Sequence, residues 1–82
     1  MINHNVIKYQ IDMSRQRCAG NAECEKALRM IEEQYKVMKK YASLEMNVTF
    51  VQVVCEAIVV FREQKVLEGG LLFILDQMVV KS

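Results

Sequence analysis

The sequence contains no proline, no tryptophan and a single histidine, His4, which lies near the start of the chain. Acid, base or nucleophilic catalysis requires a reactive side chain held in a cleft beside an orienting partner. With one histidine near its start, a chain of 82 residues that forms a narrow bundle offers neither a plausible catalytic dyad nor a ready pocket. The sequence therefore predicts a protein that is not an enzyme.

Cysteine is scarce and odd in number: Cys18, Cys24 and Cys55. These residues lack the CxxC spacing of zinc sites and redox motifs. His4 would complete a Cys3His set, but it lies in a terminus expected to fray, and Gly20 falls between the first two cysteines. We expect no metal and no cofactor, and three reduced thiols that pack as small hydrophobic side chains.

Long apolar runs are also missing, since no segment reaches the ~18 consecutive apolar residues of a membrane span. Asn3, His4 and Asn5 interrupt the run that a signal peptide would need. Eleven basic residues nearly balance ten acidic ones, and 52% of the residues are hydrophobic, which is typical of one compact domain. So short a chain buries only roughly 60% of its unfolded surface. We expect one cytoplasmic domain over residues 1–82 that self-associates to cover apolar surface.

The most apolar stretch is VTFVQVVCEAIVVF, residues 48–61. Its many Val and Ile residues favour a strand, because β-branched side chains fit a pleated surface. The polar positions favour a helix, because Gln52, Glu56 and Glu63 recur at helical spacing and no alternation of period two survives. The spacing therefore predicts a helix.

Capping signals give this third helix its expected limits. Thr49 and Gln52 have the spacing of a capping box, and Val48 lies where a hydrophobic staple would begin. Gly69 and Gly70 supply a stop. The sequence predicts a helix over about 50–68.

A heptad pattern defines the second helix, predicted over about 22–46. Its apolar positions alternate spacings of four and three: Cys24, Leu28, Ile31, Tyr35, Met38 and Ala42. On the outer face, Glu25 and Arg29, and likewise Glu32 and Lys36, have the spacing of stabilising ion pairs.

A break at Asn47 and Thr49 predicts that the second and third helices form an antiparallel hairpin. The alternative is one long helix kinked at Asn47, because neither glycine nor proline enforces a turn there.

Shorter helices are predicted at both ends of the chain. The first spans about 5–19, with Gly20 as its stop and Asn21 as the cap of the next helix. The last spans about 71–80, with an edge strand as the alternative, and Gly69 and Gly70 before it could form a hinge. The expected fold is all-α: a helical hairpin or small helical bundle, completed by self-association.

Apolar helix faces are the strongest functional signal. They predict a module that binds another protein as a regulator, adaptor or chaperone. The candidate interface residues lie on the second, third and fourth helices: Leu28, Ile31, Tyr35, Met38, Val51, Val54, Ile58, Phe61, Leu72 and Leu75.

The alternative function is nucleic-acid binding by the basic face of the second helix. Lys36, Lys39 and Lys40 are clustered there and would supply affinity for phosphate. Glu32 and Glu33 lie among these lysines, and no recognised binding motif accompanies them, which favours an ordinary solvated face.

In length, in the absence of proline, in its reduced cysteines and in its dense helical pattern, the chain resembles small phage-encoded regulatory proteins. Among these it resembles the cytoplasmic lysis-inhibition accessory proteins of T4-like phages. The resemblance is one of size and composition over the whole chain and carries no motif, so it assigns no functional residue. It implies a small protein that binds and restrains the cytoplasmic segment of a holin.

Overall fold

The computed structural model describes residues 2–79, and within this range the chain is helical with no strand. Four helices follow in order: α1 (His4–Arg17), α2 (Ala22–Tyr41), α3 (Leu44–Glu63) and α4 (Gly69–Met78). Each helix packs against two others, in the cyclic order α1, α2, α3, α4, so α1 lies diagonally across from α3. The predicted all-α fold is confirmed, as a small four-helix bundle.

The corner between α1 and α2 forms as the sequence predicts. Gly20 has φ of 85°, a left-handed conformation that glycine adopts without a steric penalty. The Asn21 side chain then accepts a hydrogen bond from the Cys24 N–H at 3.1 Å and caps α2. Residues 4–17 form α1, close to the predicted 5–19, and Asn3 caps it, so His4 lies in a helix and not in a frayed end.

The break between α2 and α3 lies at Ala42 and Ser43, and the predicted break at Asn47 and Thr49 is wrong. Ala42 is left-handed, with φ of 37°, and the Ser43 hydroxyl accepts from the Met46 N–H at 3.1 Å. Thr49 lies inside α3, where its hydroxyl donates to the Glu45 carbonyl at 3.0 Å. Ser43 is as good a cap as Thr49, and capping there adds more than one turn to α3.

Helices α2 and α3 form the predicted antiparallel hairpin. Asn21, at the start of α2, donates from Nδ2 to Oε1 of Gln64 at the end of α3, at 3.3 Å. Further along, the rings of Tyr35 and Phe50 lie 5.7 Å apart. A single long kinked helix is excluded, because α3 returns along α2.

Helix α3 ends at Glu63 instead of Glu68. The Val66 N–H donates to the Phe61 carbonyl at 2.9 Å and the Lys65 N–H donates to the Arg62 carbonyl at 3.1 Å. This is a Schellman motif in which Lys65, with φ of 58°, occupies the left-handed position that glycine usually holds. The sequence gives no signal for this helix end, because the left-handed position holds a lysine and not a glycine.

Helix α4 begins at Gly69, so both glycines lie in its first turn and not before the helix as predicted. The last segment is a helix and not an edge strand, although residue 80 of the predicted range lies outside the described residues. Gly70 is buried against α1: a Cβ there would lie 2.8 Å from the Ser14 Oγ. Close helix packing, and not flexibility, explains this glycine.

The core lies at the centre of the bundle and draws on all four helices. It contains Ile7, Ile11, Cys18, Cys24, Ala27, Leu28, Ile31, Tyr35, Met38, Phe50, Val54, Ala57, Ile58, Phe61, Leu71 and Ile74. The predicted heptad seam of α2 is buried from Cys24 to Met38, while its last member, Ala42, lies exposed beyond the end of the helix.

Candidate protein-binding surface

Most of the predicted interface residues lie in the core of the chain itself. Seven are buried there: Leu28, Ile31, Tyr35, Met38, Val54, Ile58 and Phe61. Val51 and Leu75 are half-buried, and Leu72 is 43% exposed. Helical periodicity identifies every apolar face but does not tell which face meets another helix of the same chain.

A second apolar face of α3 points to solvent. We name it the outer stripe; it consists of Leu44, Val48, Val51, Cys55 and Val59. Leu44 is 79% exposed, Val48 49% and Val59 54%. Their spacings of four, three, four and four residues place them along one side of the helix, as in the seam of a helix that pairs with another.

The outer stripe continues for most of the length of α3. From Leu44 to Val59 it runs for about 22 Å at the usual rise of an α-helix. The core face of the same helix, with Phe50, Val54 and Phe61, packs on α2 and α4. Helix α3 is therefore apolar on two faces, of which the bundle covers one.

Two apolar faces also make α3 unusually hydrophobic for a surface helix. Among the residues that the structure describes, it is the one helix that by length and composition is able to cross a membrane. Helix α3 packs on α2 and α4, and a helix in the core of a bundle is equally rich in apolar residues. This packing explains the apolar residues on its core face without a membrane.

Acidic and amide side chains border the outer stripe along one side. This acidic flank consists of Glu45, Gln52, Glu56 and Glu63, all exposed. Helical geometry places them within about 40° of one another around the axis of α3. Arg62, at the far end of the helix, donates from Nε to Oε1 of Glu68 at 3.2 Å and is thus engaged within the chain.

The three cysteines are free and differ in environment. Cys18 and Cys24 are buried, and burial raises the pKa of each thiol. Cys55 is exposed in the middle of the outer stripe, so the prediction that all three pack as small hydrophobic side chains is wrong for this one. Within residues 2–79 no three potential metal ligands come together.

A groove of about 350 Å³ lies between α1 and α2 and bears on the nucleic-acid alternative. Lys8, Lys36 and Lys39 line it, together with the apolar Ile11 and Tyr35. The Tyr35 hydroxyl is 2.8 Å from Nδ1 of His4, and the Lys39 ammonium lies 5.6 Å from the Tyr35 ring centre. Burial raises the pKa of the Tyr35 hydroxyl.

Carboxylates offset part of the positive charge of this groove. Arg15 forms ion pairs with Asp12, at 2.8 Å, and with Glu32. The hydrogen bonds to these carboxylates raise the pKa of the guanidinium, and the bond to Asp12 has the larger effect. Glu32 therefore pairs with Arg15 across the helices and not with Lys36 as predicted. Glu25 does not form the predicted ion pair with Arg29, and its carboxylate accepts from the Gly20 N–H at 3.1 Å.

Another exposed apolar patch lies on α1 and α4. Tyr9 and Phe73 are both exposed there and line one shallow depression with Met13 and Arg17. It is shared between two helices, whereas the outer stripe lies on one.

Sequence reasoning missed four members of the outer stripe: Leu44, Val48, Cys55 and Val59. The signal was present in the spacing, but it becomes a continuous stripe only when α3 begins at Leu44. With the break set at Asn47, Leu44 belonged to the wrong helix and Val48 was interpreted as a staple.

Comparison with known proteins adds no assignment: no family model, no curated protein and no solved structure matches the chain.

Proposed function

We propose that this protein is a non-enzymatic interaction module that binds a helix of another protein on the outer stripe of α3. As a regulator, adaptor or chaperone it acts by covering or releasing that helix. The proposal rests on one observation: Leu44, Val48 and Val59 are exposed on one helix face although the bundle already has a complete core.

Exposed apolar residues are common when scattered, but a row of them on one face marks an interaction site. Covering the stripe would remove apolar surface from water, at about 25 cal/mol for each Å² buried. An exposed apolar surface lowers the solubility of a protein. Its presence on α3 therefore supports a function that requires it.

The test compares proteins that the wild type and a stripe variant capture from the native host. In Val48→Asp/Val59→Asp two carboxylates are placed on exposed positions of α3, so folding should be retained and docking lost. Met30→Asp is the matched control, since Met30 is an exposed apolar residue on α2, outside the stripe.

The expected result is a partner that the wild type and Met30→Asp retain and that the stripe variant loses. Circular dichroism must show equal helix content for all three proteins. If every partner binds the stripe variant as well as the wild type, the outer stripe is not the binding surface.

A more specific form of this proposal follows from the resemblance to phage lysis-inhibition proteins. In that form the partner is the cytoplasmic segment of a holin, and the module delays lysis by holding that segment. The purified cytoplasmic segment of a T4-like phage holin is the bait to use, with the same pair of variants. Binding that survives Val48→Asp/Val59→Asp would contradict it.

We also propose self-association, since a second copy would cover further exposed apolar side chains such as Tyr9 and Phe73. Sedimentation at micromolar concentration tests it, and a monomer there would contradict it.

Nucleic-acid binding is the second candidate, and the groove with Lys8, Lys36 and Lys39 is the observation that favours it. Affinity based on phosphate contacts falls steeply as salt rises, whereas the apolar part of binding to the outer stripe hardly responds. A duplex or single strand that binds at low salt, and not at all to a Lys36→Glu/Lys39→Glu variant, would support this candidate.

A further inference from the structure

The outer stripe and the acidic flank lie side by side on α3, and together they restrict what can dock there. Glu45, Glu56 and Glu63 are exposed, and within residues 2–79 none of them forms an ion pair. The flank therefore presents negative charge that the bundle leaves without a cation.

The length and spacing of the stripe determine the shape of the partner. A face about 22 Å long with apolar residues every three or four positions matches a helix of about four turns. A helix with its own apolar seam would pack its side chains between Leu44, Val48, Cys55 and Val59. Docking of an amphipathic helix on such a surface is a recurrent mode of peptide recognition.

The charge of the flank determines the charge of the partner. Residues that border an interface steer association and exclude partners of like charge. We infer that the occupant of the outer stripe is an amphipathic helix of another protein that has lysine or arginine along the side facing Glu45, Glu56 and Glu63. This inference rests on the proposed function and specifies the chemistry of its partner.

A second copy of the chain fits the stripe less well. In an antiparallel pair of α3 helices related by a twofold axis, identical flanks meet, so the carboxylates of both copies face each other. In a parallel pair, the acidic flank of each copy faces the other border of the partner's stripe, where Asn47 provides no cation. Like charges therefore meet in the antiparallel pair, and the acidic flank gains no cation from this side in the parallel pair.

A membrane surface fits less well for the same reason. Helices that lie in the interface of a bilayer combine an apolar face with lysine and arginine, which attract anionic lipids. Along α3 the residues that border the apolar stripe include Glu45, Glu56 and Glu63. Anionic lipid would be repelled by this border.

The test uses three synthetic peptides of about 18 residues that share one apolar seam. Their flanking positions are all lysine, all glutamate or all glutamine. Dissociation constants are measured by fluorescence anisotropy at low and high salt, with wild type, the charge variant Glu45→Lys/Glu56→Lys/Glu63→Lys and the stripe variant Val48→Asp/Val59→Asp.

The wild type should bind the lysine peptide at least ~10-fold more tightly than the glutamate peptide at low salt, with a smaller ratio at high salt. The charge variant should reverse the preference, and the stripe variant should lose affinity for all three peptides. Reversal of preference is a readout that a loss of folding cannot imitate.

Different failures have different meanings. Equal affinity for the three peptides overturns the inference about charge and leaves the proposed docking surface intact. No binding of any peptide to the wild type overturns both. A wild-type dimer that Val48→Asp/Val59→Asp dissociates, or sedimentation of the wild type with phosphatidylglycerol vesicles, assigns the stripe to another occupant and overturns the inference.

Discussion

The Oγ of Ser14 lies so close to Gly70 that a Cβ on the glycine would be 2.8 Å away from it. The next nearest atoms are Oε1 of Gln10, at 3.0 Å, and Nη1 of Arg17, at 3.2 Å, both at the ends of flexible side chains. Ser14 belongs to the buried face of α1, so its Oγ is not free to leave. Helices α1 and α4 therefore pack closely here and leave no room for a side chain at residue 70.

Gly70→Ala should therefore destabilise the protein by about 1 to 3 kcal/mol, the range for overpacking a core. Gly69→Ala is the matched control: a Cβ there meets nothing within 4 Å, and alanine favours the helix by up to about 1 kcal/mol. Urea unfolding of both variants measures the difference. Equal stability of the two variants would contradict the close contact of α1 with α4.

Ser14 provides an independent check of the same contact. Among the described residues its Oγ is buried without a hydrogen-bond partner. Ser14→Ala should thus be neutral or stabilising by up to about 1 kcal/mol, since it removes an unsatisfied polar atom. In the double variant Ser14→Ala/Gly70→Ala, most of the loss from Gly70→Ala should be recovered, which a double-mutant cycle by urea unfolding would show.

Lys65→Gly should stabilise the protein, because Lys65 holds a left-handed conformation, with φ of 58°, at the end of α3. Glycine adopts that conformation without strain, and the expected gain is about 0.5 to 1 kcal/mol after the added entropy of the unfolded chain. Lys36→Gly is the control: Lys36 is exposed in the interior of α2, where glycine should destabilise by about 1 kcal/mol. Thermal melts measure both variants. Melting temperatures that shift in the same direction for Lys65→Gly and Lys36→Gly would contradict the Schellman motif.

The same residue shows what the sequence could and could not predict. Helix type and order followed from apolar periodicity, and the corner at Gly20 and Asn21 followed from residues with strong local preferences. The ends of α3 did not follow. At the start of α3, Ser43 and Thr49 are chemically equivalent caps, so only packing selects between them. At its end, the strain of a left-handed Lys65 is offset because Val66 packs against the core.

The sequence predicted that the candidate site is apolar but not which residues form it. Ile58 and Val59 are neighbouring β-branched residues in one apolar run, yet one is 6% exposed and the other 54%. Their difference depends on where α2 and α4 lie against α3, which is information about tertiary contacts. Composition indicated surplus apolar surface, and the structure shows which residues carry it.

Thiol labelling should distinguish Cys55 from the other cysteines. In the native protein an alkylating reagent should modify Cys55 rapidly and Cys18 and Cys24 slowly, because only Cys55 is exposed. In guanidinium all three should react. Cys55→Ser is the control and should remove the rapid phase. A rapid phase that persists in this variant would show that α1 or α2 opens readily.

Stability should fall at alkaline pH because burial raises the pKa of Cys18 and of Cys24. Both thiols ionise more readily in the unfolded chain, so their full contribution is present below the ordinary thiol pKa of about 8.5 and declines as pH rises through the folded values. Melting temperatures at neutral pH and above pH 9 measure this. The loss should be smaller in Cys18→Ala/Cys24→Ala, and an equal loss there would assign the effect to other groups.

The sharpest comparison is between Ile58→Asp and Val59→Asp, which place the same carboxylate one residue apart on α3. Ile58 is 6% exposed in the core, and truncating a buried isoleucine already costs about 2 to 5 kcal/mol before a carboxylate is desolvated. A domain of this size has a total stability of only about 5 to 15 kcal/mol, so Ile58→Asp should unfold it. Val59→Asp, at an exposed position, should change stability by roughly 0.5 kcal/mol or less while weakening partner binding. Circular dichroism melts of both variants beside the wild type decide the matter. If Val59→Asp unfolds the chain and Ile58→Asp does not, the core and outer faces of α3 are reversed, and the outer stripe is not a docking surface.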